Sequence, residues 1–247
     1  MDNRTKDSNG NKCKNNVYVV GVAGGTASGK TTICDKILQE NKNIVLISMD
    51  SFYKTVETQN VVGYNFDNPN ALDLDLLYNV VQNLKNGHKT KVPVYNFVTH
   101  KREEQWTTIY PKSAIVVEGI LLLYSDKIKS LLDMKIYIDA PPDTRLIRRI
   151  TRDMNERGRT LDQIIQQYQD TVKKSHDLFV EPTKKYADFI VSGEKNPNES
   201  VKTIVARIEK SIIEKSIIEK SIIEKSIIEK SIIEKNHNYV IPSISKI

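Results

Sequence analysis

Between Gly24 and Thr31 the chain reads GGTASGKT, with Thr32 directly after, a G-x-x-x-x-G-K-T spacing. In such a loop glycines let consecutive backbone N–H groups turn toward one oxyanion, and the helix that follows adds its positive end. A lysine then reaches the outer phosphates and a hydroxyl meets Mg2+. Gly24, Gly25, Thr26, Ala27, Ser28, Gly29, Lys30, Thr31 and Thr32 are therefore candidates for holding a triphosphate, with Lys30 also acting on the phosphoryl group and Thr31 on the metal. The apolar run VYVV before the loop and ICDKILQE after it supply the strand and helix that this chemistry needs.

A phosphate loop needs an acid to order its metal, and Glu118 ends the apolar run AIVVE. A second acid, Asp50, ends IVLISMD. Parallel strands share one carboxyl edge, so Asp50, Glu118 and the loop are expected to converge there, with Thr31, Asp50 and Glu118 as the metal ligands. The loop by itself serves kinases, GTPases, motors and transport ATPases alike. What surrounds Asp50 discriminates, because a small-molecule kinase needs a base beside an acceptor hydroxyl and a pocket for the acceptor. Asp50 to Tyr53 puts that base beside an aromatic; Phe66 offers a stacking face and Asp67 an acceptor for sugar hydroxyls; Tyr95, Phe97 and His100 follow in PVYNFVTH. Aromatic faces with a few polar edges hold nucleobases, although each ring taken singly also fits core packing.

Arg145, Arg148, Arg149, Arg152, Arg157 and Arg159 crowd one stretch that ends in the turn Glu-Arg-Gly-Arg. Three readings stand: a phosphate clamp on a mobile lid, a nucleic-acid patch, or a solvated helix face. Guanidinium groups stay charged and bind in forks, so Arg152 and Arg157 are candidates for neutralising the moving phosphoryl group.

These residues need a frame. Five Val- and Ile-rich runs read as buried strands: residues 17–22, 44–49, 114–118, 134–139 and 188–191. Between them, 72–84 and 144–157 carry helical apolar spacing, which predicts a mostly parallel sheet covered on both faces. Residues 91–110 read as an inserted β-hairpin. From Ser211 to Lys235 the sequence is five copies of SIIEK. Each unit advances about 140° round a helix, so its Ile pairs form no stripe; an extension of the last helix is expected, with a partner-binding helix as the alternative. The expected organisation is a disordered leader (1–16), a catalytic domain (17–210), the repeat extension (211–235) and a tail (236–247).

The 247 residues allow a full core, and a net charge of +6 is mild. Two cysteines give no disulfide framework, and no run of eighteen apolar residues or signal segment occurs, so a reducing, cytoplasmic setting without a membrane partner is expected.

The motifs GGTASGKTT, DSFY, YNFDNPNALD, PVYNFVTHKR, VVEGILLL, RRITRDMNERGRT and EPTKKYADFIV, in this order over roughly residues 17–208, resemble those of the uridine kinase (uridine-cytidine kinase) family of P-loop nucleoside kinases. The resemblance implies transfer of phosphate from ATP or GTP, with Mg2+, to the 5′-hydroxyl of uridine and cytidine in pyrimidine salvage, commonly by a homotetramer. It also implies Asp50 as the base, Asp67 and Arg149 on the ribose hydroxyls, and Tyr95 and His100 on the pyrimidine. Tyr53, Phe66, Phe97, Arg159 and Gln167 would complete the pocket. Asn96 stands where many eukaryotic relatives carry Asp. Rival readings are a similar kinase for another alcohol, a scaffold acting through its SIIEK helix, and an RNA-binding protein.

Overall fold

The computed structural model describes residues 17–237 apart from 58, 60 and 62. The expected disordered leader, 1–16, lies outside the described residues, as does all of the tail except 236 and 237. One compact unit ends at Val205 and a second begins at Ala206.

The first unit begins β1 (Tyr18–Gly24), α1 (Lys30–Glu40) and β2 (Ile44–Ser48). Next come α2 (Leu74–Lys85), the short strands β3 (Thr90–Val92), β4 (Tyr95–Asn96), β5 (Lys101–Arg102) and β6 (Thr107–Ile109), and then β7 (Ala114–Glu118). It continues with α3 (Asp126–Lys129), β8 (Met134–Asp139), α4 (Pro142–Arg157), α5 (Leu161–Gln167), α6 (Lys173–Ser175) and β9 (Phe189–Ser192). α7 runs from Pro197 to His237.

The five predicted strands form one parallel sheet in the order β2-β7-β1-β8-β9. Both faces are covered, so β1 and β7 are buried at every position, and their near-continuous apolar sequence follows from that. α2 buries Leu77, Val80, Val81 and Leu84 on one stripe, and Asp73 caps it by accepting from the Leu76 N–H at 3.1 Å.

The inserted hairpin is two ladders instead of one: β3 pairs with β6 and β4 with β5, both antiparallel. The break falls at Pro93, which has no N–H to give a ladder. Asn96 closes the tip, its Oδ1 accepting from the N–H groups of Val98 and Thr99 at 2.9 and 3.0 Å. This local turn is what an amide does at the position.

α4 departs from its expected packing. Arg145, Arg149 and Asp153, four residues apart, form the buried face, while Ile147 and Met154 are exposed. Of the apolar residues read from the sequence, Leu146 and Ile150 are half-buried and none is fully buried, so the most buried face of this helix is charged. α4 stops at Gly158, whose left-handed φ of 62° lets its N–H return to the Asp153 carbonyl. In the second unit, the repeats are helical throughout, and the isoleucines from Ile213 to Ile233 with described side chains are half or more exposed except Ile223 at 44%.

Candidate functional site

Register brings the acids together. β7 lies between β2 and β1, with Glu118 level with Ser48 on one side and Val22 on the other. The Ser48 hydroxyl donates to Glu118 Oε1 at 2.8 Å and accepts from the Asp50 N–H at 3.3 Å, which seats the turn Met49–Phe52 beside the end of β7. The glycine loop leaves β1 at the same edge. Lys30, Thr31, Asp50 and Glu118 all face one cavity of about 620 Å³.

Charge in this corner is tightly balanced. Burial, with the Asp50 charge adding to it, pushes the Glu118 carboxyl above its usual range, while Lys30 and the Ser48 hydrogen bond pull it back. Burial also lowers the Lys30 pKa, against the opposing pull of Glu118 and Asp50. The Lys30 ammonium donates to the Gly25 carbonyl at 3.0 Å.

Thr26, Ala27, Gly29, Lys30, Thr31 and Thr32 line the cavity; Gly24, Gly25 and Ser28 lie behind it. The two glycines need to be small. A Cβ on Gly24, whose φ is 143°, would strike the Ile138 carbonyl oxygen, and one on Gly25 would lie 2.6 Å from Arg145 Nη1 and 3.0 Å from His176 Cε1. Gly29 begins α1 in a left-handed conformation with no side-chain cap, and no acidic residue sits in the first turn. The helix end is thus left to an outside anion.

The opposite wall is aromatic. Tyr53 lies 6.0, 5.4 and 6.4 Å from the rings of Phe66, Tyr95 and Phe97, and Phe66 stacks on His100 at 4.9 Å. The Tyr95 hydroxyl is buried with no hydrogen-bond partner among the described residues, and burial pushes its pKa up to about 12. A buried donor without a partner is costly unless something else satisfies it. Burial, and then the Arg159 and Arg157 charges, lower the His100 pKa, which keeps the imidazole neutral at pH 7. Asp67 also lines the cavity; burial raises its pKa against the pull of Arg149.

Arg149, Arg152, Arg157 and Arg159 close the cavity from the α4 side. Arg149 donates to Thr26 Oγ1 at 3.0 Å, tying the clamp to the loop, and shares Gln167 Oε1 with Arg159 at 2.8 Å each. The Arg157 guanidinium lies over the Phe97 ring at 4.7 Å.

Residues 19–199 match the model of the Phosphoribulokinase / Uridine kinase family. The chain belongs to that family. It is an enzyme, a kinase, and its resemblance to uridine kinases is borne out by relatives as well as by the model. The kinase is 50% identical over 189 residues to uridine-cytidine kinase A of Dictyostelium discoideum, covering 75% of this chain and only 37% of the relative. It is 40% identical over 206 residues to uridine-cytidine kinase 2-B of Danio rerio, covering 78% of this chain and 79% of the relative. Among solved structures, phosphoribulokinase from Rhodobacter spheroides shares the fold, with a TM-score of 0.56 at 17% identity over 74% of each chain.

Sequence reasoning missed part of the kinase's cavity, the segment from Ser192 to Pro197 that follows β9, while Arg148, named from the sequence only as one of the crowded arginines, also lines it. The rule that parallel strands end on one edge points to that segment as well as to Asp50 and Glu118, since β9 is the fifth strand of the same sheet. It also missed Arg102. This guanidinium holds the carbonyls of Phe52 and Tyr53 at 2.9 Å each and lies 3.3 Å from Asp73, so the hairpin grips the segment that carries Asp50. Among the described residues no helix is long and apolar enough to cross a membrane.

Proposed function

We propose that the kinase phosphorylates the 5′-hydroxyl of uridine and cytidine at the expense of ATP or GTP, within a catalytic domain of residues 17–210. The observation that carries this reading is that one cavity holds both halves of the chemistry, the phosphate loop with Asp50 and Glu118 at one end and the rings of Tyr53, Phe66, Tyr95, Phe97 and His100 at the other. The names of the relatives support the same acceptors.

In this reading Asp50 orients and deprotonates the acceptor hydroxyl, while Asp67 and Arg149 hold the ribose. Tyr95 and neutral His100 read the edge of the pyrimidine. Lys30 and the loop N–H groups cradle the outer phosphates, and Arg152 and Arg157 neutralise charge that builds on the transferred group. The exposed Thr31 hydroxyl with the Asp50 and Glu118 carboxylates is a hard-oxygen donor set that suits Mg2+, which when bound would spread the phosphate charge. Among the described residues no cluster of three or more His, Cys, Asp or Glu gathers as a metal site, in keeping with an ion held largely by substrate phosphates. The resemblance further supports a cytoplasmic homo-oligomer with no nucleic acid as partner.

A panel of acceptors with radiolabelled ATP tests the proposal. Uridine and cytidine should be converted to their 5′-monophosphates in preference to deoxynucleosides, pantothenate and ribulose phosphate. Turnover of one of the others, with none of uridine or cytidine, would refute it.

A further inference from the structure

The Asp153 side chain on α4 has no exposed surface, yet it meets a cation on every side. Its oxygens divide the work. Oδ1 accepts from Arg152 Nε at 2.8 Å and lies 2.8 Å from Arg152 Nη2 and 3.5 Å from Arg157 Nη1. Oδ2 lies 3.6 Å from Arg149 Nε and 3.5 Å from Arg159 Nη1. All four arginines line the cavity and Asp153 does not, so the carboxylate touches no substrate and acts through them.

We propose that Asp153 is a positioning residue, the internal anion on which the arginine clamp is assembled and through which its phosphoryl half, Arg152 and Arg157, is held in register with its nucleoside half, Arg149 and Arg159. The proposal rests on the kinase reading of the cavity. Packed guanidinium groups repel one another at low effective dielectric, and although Asp50 and Asp67 act on Arg157 and Arg159 across the cavity, Asp153 is, among the described residues, the carboxylate within ion-pair distance of all four. A buried carboxylate is equally untenable without nearby cations; here Oδ1 is hydrogen-bonded by Arg152, while Oδ2 has ion-pair neighbours and no hydrogen bond among the described residues. Each therefore requires the other. The same residue anchors the end of the helix through its backbone, since its carbonyl accepts from Gly158 and, at 3.2 Å, from the Arg159 N–H. Side chain and main chain of one residue thus set where Arg157 and Arg159 emerge.

Asp153→Asn keeps the size, removes the charge and replaces one acceptor by a donor facing guanidinium groups. It should lower kcat about a hundredfold, the usual cost of losing a preorganised charge-stabilising group, and raise the KM for uridine. ATP binding measured by calorimetry should stay within about threefold of wild type, because the loop holds the triphosphate. Asp153→Glu restores the charge at a position displaced by a methylene and should recover about tenfold of the lost kcat, leaving it about tenfold below wild type, which a mere fold defect would not predict. A kcat for Asp153→Asn within about threefold of wild type, an unchanged KM for uridine, or Asp153→Glu no faster than Asp153→Asn would overturn the role. Should Asp153→Asn not fold, Asp153→Glu alone decides: displacing the carboxylate by a methylene should slow kcat about tenfold relative to wild type, and a wild-type rate refutes the proposal. Failure of the wild-type enzyme to phosphorylate uridine would instead refute the kinase reading, which separates the two.

Discussion

Alanine at Gly193 measures how little room separates the end of β9 from the phosphate loop. A Cβ built there collides with the carbonyl oxygen of Ser28 and stands 3.2 Å from both the Ser28 carbonyl carbon and Ile138 Cγ2. The φ of Gly193 lies outside the left-handed region, so the effect is one of contact and not of backbone strain. Gly193 has little freedom to retreat. Its N–H donates to the Asp139 carbonyl at 2.7 Å and its carbonyl accepts from Arg148 Nη1 at 3.0 Å. Relieving the collision takes a displacement on the order of 1 Å, shared by the loop, and an error of that size at a reacting centre costs about 10²-fold. This corresponds to about 2.7 kcal/mol of transition-state stabilisation. Steady-state assays with saturating uridine should therefore give a kcat/KM for ATP about a hundredfold lower in Gly193→Ala, with the KM for uridine within about threefold of wild type. An unchanged kcat/KM for ATP together with an unchanged Tm would show that the loop accommodates the methyl group and that its seat against β9 does not govern donor geometry.

Asp50→Asn should lower kcat by about 10²- to 10⁴-fold while calorimetry finds ATP binding largely intact; near-normal turnover would remove Asp50 as the base. The pH dependence of stability carries the signature of two imidazoles, His100 and His176, both with pKa values lowered first by burial. Their unfolded forms take up a proton near pH 6.5 and their folded forms resist it, so their contribution to stability is lost as pH falls through that value and levels off below the folded pKa. Asp67 and Glu118, whose pKa values burial raises, act in the opposite sense, because the folded state takes up their protons first. Chemical denaturation of the double variant His100→Gln/His176→Gln should show a smaller loss between pH 7.5 and pH 5.5 than wild type, and equal losses would contradict the shifts. Removal of residues 211–247, which include no candidate site residue, should leave kcat/KM for uridine within about twofold, and a larger fall in the assay would give the repeats a part in catalysis.

The strands could be read from the sequence because a parallel sheet buried on both faces demands unbroken Val and Ile, as in AIVVE and IVLIS. The meeting of Asp50 with Glu118 could be read for a related reason: a shared carboxyl edge is a property of any such sheet. What escaped detection was whatever runs against hydrophobic patterning. α4 hides Arg145, Arg149 and Asp153 and turns Ile147 and Met154 outward, the inverse of the stripe a periodicity count looks for. The Asp153 carboxylate offsets the burial of Arg149, and its i, i+4 pairs with Arg149 and Arg157 become visible only when the helix is read for charge and not for hydrophobicity. The grip of Arg102 on Phe52 and Tyr53 joins residues about fifty positions apart, again beyond the reach of local pattern.

The pentad helix has a consequence for how this chain tolerates change in length. Inserting or deleting one SIIEK unit moves everything beyond it along the axis by about 7.5 Å and swings it by about 140°, yet the composition of the outer surface is the same on every side. No seam is thrown out of phase, because none was there to begin with. Copy number can therefore drift by whole units without a folding penalty, whereas a heptad array would lose its partner at the first miscount.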